Sequence, residues 1–174
     1  MQDVPAIVGA VKAANAEILT FLDNTWATPL FFKPLDFGVD VSLQSLTKYL
    51  GGHADFLLGS IAVKKELWAQ LDLTRRLLGN NVGPDDVYLA QRGLRSLSAR
   101  LKMHEAHALN LAQWLQDRPE VSRVLYPALP GDPGHDIWKR DFSGATGLFG
   151  FILTGGGSAQ VAALLDALDL FGMG

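Results

Sequence analysis

The chain has 174 residues, a formal net charge of −3 at pH 7 and no cysteine. That excludes a disulfide framework, a thiolate metal site and a cysteine nucleophile, and leaves no electrostatic reason to expect nucleic acid as a partner. With 48% hydrophobic and 19% charged residues, it is lean in charge, which suits either surface covered by other protein or an ordinary α/β core. No apolar run approaches the ~20 residues of a spanning helix, so no membrane partner is expected, and the cytoplasm is the default compartment.

Asp3 is placed to cap a helix whose first turn holds Pro5, with Ile7, Val8, Val11 and Ala14 at helical spacing. The run ILTFL at 18–22 reads as a strand. It ends at Asp23, where the turn Asp23-Asn24-Thr25-Trp26 begins, and Thr28-Pro29 argues against immediate continuation as helix. Trp26 reads as pocket wall or core. Residues 34–38 read as a short helix stopped by Gly38, and 39–46 as a strand leading to Lys48.

Lys48 therefore leaves the end of a strand, where open α/β sheets bind ligands. An amine desolvated there becomes the neutral nucleophile that an aldehyde cofactor such as pyridoxal phosphate (PLP) requires. Ser45 and Thr47, two residues apart, are spaced to turn hydroxyls to one side, toward that cofactor's phosphate. Asp23 ends its own strand and is suited to pair with a pyridinium nitrogen at the same sheet edge. The spacing alone favours a solvated surface lysine after a strand.

The segment Gly51-Gly52-His53-Ala54-Asp55 suits close backbone approach or a plain loop. Residues 56–63 are apolar throughout and read as a buried strand, 64–78 as a helix with Leu67, Leu71 and Leu78 on one side. Pro84-Asp85-Asp86 starts the next helix with acids at its positive end. A long helix over 94–115 is marked by Leu94, Leu97, Leu101, His104, Ala108, Leu111 and Leu115, with a domain boundary placed near Gly93. His104 and His107 read as helix-surface residues rather than metal ligands, because the spacing is not His-Glu-x-x-His. Residues 121–126 read as a strand, 135–141 as a short amphipathic segment and 147–154 as a buried strand. Gly155-Gly156-Gly157 reads as a turn, and Ser158 as the cap of a helix over 159–168. Alternating strands and helices predict an α/β fold with a mainly parallel sheet over 1–93, and a long helix opening a smaller α+β domain over 94–174.

The blocks DNTWATP, SLTKYLGGHAD, PDDVYLAQRGLRSLSAR and ALPGDPGHDIWKRDFSGATGLFGF resemble the Cys/Met-metabolism family of PLP enzymes, most closely its bacterial cystathionine β-lyase branch. The resemblance implies a three-layer PLP-transferase-like domain of fold type I. In it Lys48 is the Schiff-base lysine, Asp23 the partner of the ring nitrogen, and Ser45 and Thr47 the phosphate ligands. It also implies cystathionine as the small-molecule substrate, cleaved by β-elimination, and a dimer of dimers whose active sites borrow residues from a neighbouring subunit. The family pattern has asparagine where this chain has His107. The chain reads as an internal fragment of such a protein, expected to be inactive and self-associating by itself. The alternatives are a γ-lyase or γ-synthase of the same family, a catalytically incompetent fragment, and a cofactor-free Schiff-base lyase.

Overall fold

A computed structural model describes residues 1–172. Helix α1 (Val4–Ala14) starts as the sequence predicts: Asp3 Oδ1 accepts from Ala6 N–H at 3.1 Å and Pro5 lies in the first turn. Val4 and Val8 are the buried face of α1, packing with Phe32 and Val39. Phe32 is stacked between Phe37 and Phe142, with ring centroids 4.9 and 4.5 Å away.

Strand β1 is only Phe21–Asp23, shorter and later than the expected 18–22, and Ile18 and Leu19 are exposed. A four-residue helix α2 (Thr28–Phe31) follows, so Thr28-Pro29 does not keep the chain out of helix. Proline lies at the start of α2, where its missing N–H is no loss. The 3-10 turn Pro34–Phe37 ends on Gly38 at φ 88°, a left-handed position that favours glycine. Strand β2 (Val41–Ser45) pairs parallel with β1, Asp23 standing opposite Leu43. Strand β3 (Gly59–Val63) pairs antiparallel with β2, so the sheet is β1-β2-β3 and mixed rather than mainly parallel. The expectation that 56–63 is a buried strand fails for β3: its first four residues are exposed, because β3 has only β2 beside it and little packs on its faces. Phe56, just before it, is buried.

Helix α3 (Lys65–Leu77) has no buried residue among those described, although Leu67 and Leu71 are half-buried on one side. Helix α4 runs without a break from Pro84 to Gln116, 33 residues, so the two helices expected on either side of Gly93 are one. Its buried stripe is Ala90, Gly93, Leu97, Leu101, Ala108, Ala112 and Leu115. Leu94 and Leu111, expected on that stripe, are exposed, and the small residues Ala90, Gly93 and Ala112 take the inward positions instead. His104 is half-buried with its ring 5.7 Å from that of Tyr49, which corrects its reading as a surface residue; burial, then the charges of Arg100 and His107, push its pKa down. His107 is exposed as expected.

Strand β4 (Val121–Leu125) pairs antiparallel with β5 (Gly150–Leu153), and α5 (His135–Asp141) lies between them in sequence. Strand β5 is shorter than the 147–154 expected and is partly exposed, with Phe151 and Ile152 open on the surface. Helix α6 (Ser158–Asp166) is capped by the Gly157 N–H donating to Gln160 Oε1 at 2.8 Å, not by Ser158, which is already helical. Gly155 and Gly156 both have positive φ, as a glycine turn requires. The terminal Met173 and Gly174 lie outside the described residues. No helix among those described is long and apolar enough to cross a membrane.

Candidate active site

The parallel pairing of β1 with β2 puts Asp23 and Ser45 at the C-terminal ends of neighbouring strands. Thr25 joins them. The Thr25 N–H donates to Asp23 Oδ1 at 2.9 Å, an Asx turn, and Thr25 Oγ1 accepts from Ser45 N–H at 2.8 Å. Asn24 continues the seam: its N–H donates to Leu43 O at 2.8 Å and its side-chain amide to Phe32 O at 2.9 Å. The Thr25 hydroxyl, then the Thr25 amide, hold the Asp23 carboxyl below its ordinary range against a smaller opposing effect of burial. Asp23 is exposed, whereas Asn24 and Thr25 are buried at 3% and 5% exposure, so a charged group stands on a fixed floor.

Beyond Ser45 the chain makes one compact turn. Gly51 N–H donates to Leu46 O at 2.8 Å and Gly52 N–H to Lys48 O at 2.9 Å. Lys48 sits on this turn and is exposed, so the desolvation expected for its amine is not supplied by the described residues. Thr47 Oγ1 accepts from Leu58 N–H at 3.1 Å and points its own proton at Leu58 O across 3.5 Å, the outer limit for such a bond. Under the turn lies an apolar cluster of Leu50, Phe56, Ala90, Leu97 and Leu101.

A cavity of about 670 Å³ opens beside the sheet edge, lined by Asp23, Trp26, Phe32, Tyr126, Trp138 and Phe142 among others. Trp26 is therefore pocket wall, 69% exposed, and not core. Ser45, Thr47 and Lys48 do not line this cavity. Of the four residues singled out in the sequence, this cavity holds only Asp23.

The four residues singled out in the sequence are thus brought to one sheet edge and the turn that leaves it, and their chemistry fits PLP. An ionised carboxylate keeps lone pairs free beyond the one given to Thr25, enough to accept from a pyridinium N–H. The Ser45 main-chain N–H is used on Thr25, which leaves the hydroxyl for phosphate. Thr47 can give its weakly placed proton to phosphate and still accept from Leu58 N–H. Sequence reading missed Thr25 and Asn24; Thr25 had a readable signal, the Asp-x-Thr spacing of an Asx turn.

The chain is similar to known proteins over nearly its whole length. Cystathionine β-lyase MetC of Escherichia coli (strain K12) is 45% identical over 174 residues, covering 99% of this chain and 44% of its own length. L-alanine/L-glutamate racemase of Wolbachia pipientis wMel is 42% identical over 174 residues, covering 99% of this chain and 43% of its own. Cystathionine γ-synthase of Xanthomonas oryzae pv. oryzae, in complex with aminoacrylate and cysteine, superposes with a TM-score of 0.93 at 37% identity, covering 100% of this chain and 44% of that one. The chain spans less than half the length of these relatives, and its α/β fold is that of PLP-dependent transferase-like enzymes. The profile of Cys/Met metabolism PLP-dependent enzymes matches residues 1–174, and the chain belongs to that family.

Proposed function

We propose that the full protein carrying this chain is a PLP-dependent carbon–sulfur lyase that cleaves cystathionine by β-elimination to homocysteine, pyruvate and ammonia. The observation that carries this reading is the shared sheet edge: Asp23 held ionised by Thr25, with Lys48 on the turn that leaves the adjacent strand. Cystathionine as substrate is supported by 45% identity to a cystathionine β-lyase.

When bound, PLP supplies an aldehyde for the lysine and a protonated ring that withdraws electrons from the substrate's Cα. Asp23 holds the ring-nitrogen proton, since an acid kept below its ordinary pKa remains a carboxylate. Ser45 and Thr47 would donate hydroxyl protons to the PLP phosphate. Lys48 Nζ would bind the cofactor through its aldehyde and, once freed, would serve as the base for the substrate's Cα proton. The β1–β2 edge orients these groups. We also propose that the protein works in the cytoplasm as a dimer of dimers, a reading supported by the exposed apolar residues Ile61, Trp68, Leu73 and Leu77 on β3 and α3.

A γ-lyase or γ-synthase remains the second reading, favoured by the 0.93 TM-score to a cystathionine γ-synthase. Incubating the full-length protein with PLP and cystathionine decides between them. Homocysteine with pyruvate supports β-elimination; cysteine with 2-oxobutyrate replaces it with γ-elimination. D-alanine formed from L-alanine, without cleavage of cystathionine, replaces both with racemisation.

A further inference from the structure

We infer that Arg100 is a positioning residue for Lys48, holding the lysine's turn from a helix fifty residues away. The turn satisfies its inner carbonyls by itself, but the carbonyls of Tyr49 and Leu50 point out of it toward α4. Arg100 reaches both: Nη1–H donates to Tyr49 O at 2.6 Å and Nη2–H to Leu50 O at 3.0 Å. The same Nη2 donates to Gly93 O at 3.0 Å, and Nε–H to Ser96 Oγ at 3.0 Å, so the guanidinium is itself fixed to α4. Its planar fork serves two carbonyls on the turn and one on the helix at once, which the single ammonium of a lysine cannot reproduce.

Two glycines make room for this clamp. A Cβ on Gly52, at φ 78°, would stand 2.5 Å from Arg100 Nη1. A Cβ on Gly93 would meet Leu50 O first, and Gly51 O at 2.7 Å. Main chain, side chain and glycine placement thus converge on the segment that follows Lys48. The mechanism above leaves Arg100 unused, and the residue touches no reacting atom. Its effect passes through the position of the Lys48 backbone, and small displacements of a reacting group carry large rate penalties.

This inference rests on the reading of Lys48 as the cofactor lysine, and its test separates the two. In the full-length chain without cofactor, hydrogen exchange of the peptide spanning 46–52 reads the turn directly. The rate of borohydride-trapped adduct formation between pyridoxal and Lys48, resolved by peptide mass, reads the amine's placement, with exposed Lys102 as internal control. Arg100→Gln is expected to speed exchange in the turn about tenfold and slow trapping at Lys48 about tenfold, leaving Lys102 unchanged. Arg100→Lys should fall between Arg100→Gln and the parent, and added guanidinium ion should restore part of the trapping rate in Arg100→Ala. Should Arg100→Gln not fold, Ser96→Ala removes the anchor of Nε, together with the Ser96 hydroxyl's own bond to Gly93 O, and should move both readouts about twofold in the same directions. A folded Arg100→Gln, or a Ser96→Ala, whose turn exchanges and traps like the parent overturns the inference. A parent that forms no Lys48 adduct overturns the cofactor-lysine reading instead, and the exchange measurement then still judges the clamp.

Discussion

Gly93→Ala sets two effects of known size against each other. Alanine in a helix interior is favoured over glycine by about 1 kcal/mol, so by propensity alone the variant should be more stable. At Gly93, however, the added methyl would press on Leu50 O and lie 2.7 Å from Gly51 O and 2.8 Å from Gly51 Cα. These are main-chain atoms of the Lys48 turn and cannot swing aside as a side chain would. Overpacking of this kind costs about 1–3 kcal/mol, and the upper part of that range applies where backbone must move. A net destabilisation of about 1–2 kcal/mol is therefore expected for Gly93→Ala. Gly9→Ala is the control: it lies within α1 with nothing within 4 Å of its would-be Cβ, and should gain about 0.5–1 kcal/mol. Urea unfolding of the full-length protein, compared at the midpoint, measures both. If Gly93→Ala is stabilised as much as Gly9→Ala, the close approach of α4 to the turn is wrong.

Lys48→Ala should abolish both the Schiff-base absorption and cystathionine cleavage, because both need the same amine; normal turnover in that variant removes Lys48 from the mechanism. Asp23→Asn should keep much of its PLP binding but lose most of its rate, by roughly a hundredfold or more, since an amide does not hold the pyridinium proton. Turnover equal to the parent's would refute the ring-nitrogen assignment. Asp40, 5% exposed, accepts from Lys12 at 2.7 Å, Lys64 at 2.6 Å and the Thr20 N–H at 2.8 Å. Burial alone would raise its pKa, but the two lysines and Thr20 outweigh burial and hold it well below the usual carboxylate range. Its stabilisation is thus complete above the unfolded value near ~3.9 and is lost as pH falls toward the folded one. Asp40→Asn should cost about 2–3 kcal/mol at neutral pH and flatten the acid limb of the stability profile below about pH 4. An unchanged acid limb would show that other carboxylates govern it.

The sheet edge was legible because its signals are local. Asp23 and Lys48 each follow a short apolar run, and the blocks around them carry the family likeness. The helix caps were legible where one residue acts alone, as at Asp3 and Gly38. What was not legible depended on partners distant in sequence. The apolar run at 56–63 looks the same whether it is buried between neighbours or lies open beside β2 alone. Gly93 looked like a break between helices, since glycine is a poor helix former. Contact with Leu50 and Gly51 overrides that propensity: α4 accepts glycine there because no larger residue lets the two backbones meet. The inward shift from Leu94 to Gly93 has the same origin, whereas Ala112 takes its buried place in the apolar cluster of Leu115, Val124 and Tyr126.

The two halves of the site are consequently held by different means. Asp23 is fixed within its own segment: Thr25, two residues on, closes the Asx turn, and Asn24 and Thr25 tie that segment to β2. Lys48 has no such local brace for the outward carbonyls of its turn, and Arg100, Gly93 and Gly52 supply it from α4 and the loop before β3. Substitutions near the acid should therefore act mainly when made at positions 24 and 25, and through the charge state of Asp23. Substitutions that disturb the lysine can lie some fifty residues away on α4. A survey of α4 variants scored for Lys48 trapping and for Asp23-dependent rate would see the split directly: positions 93, 96 and 100 should move the first readout before the second, whereas neighbouring exposed positions such as Arg95 and Ala99 should move neither.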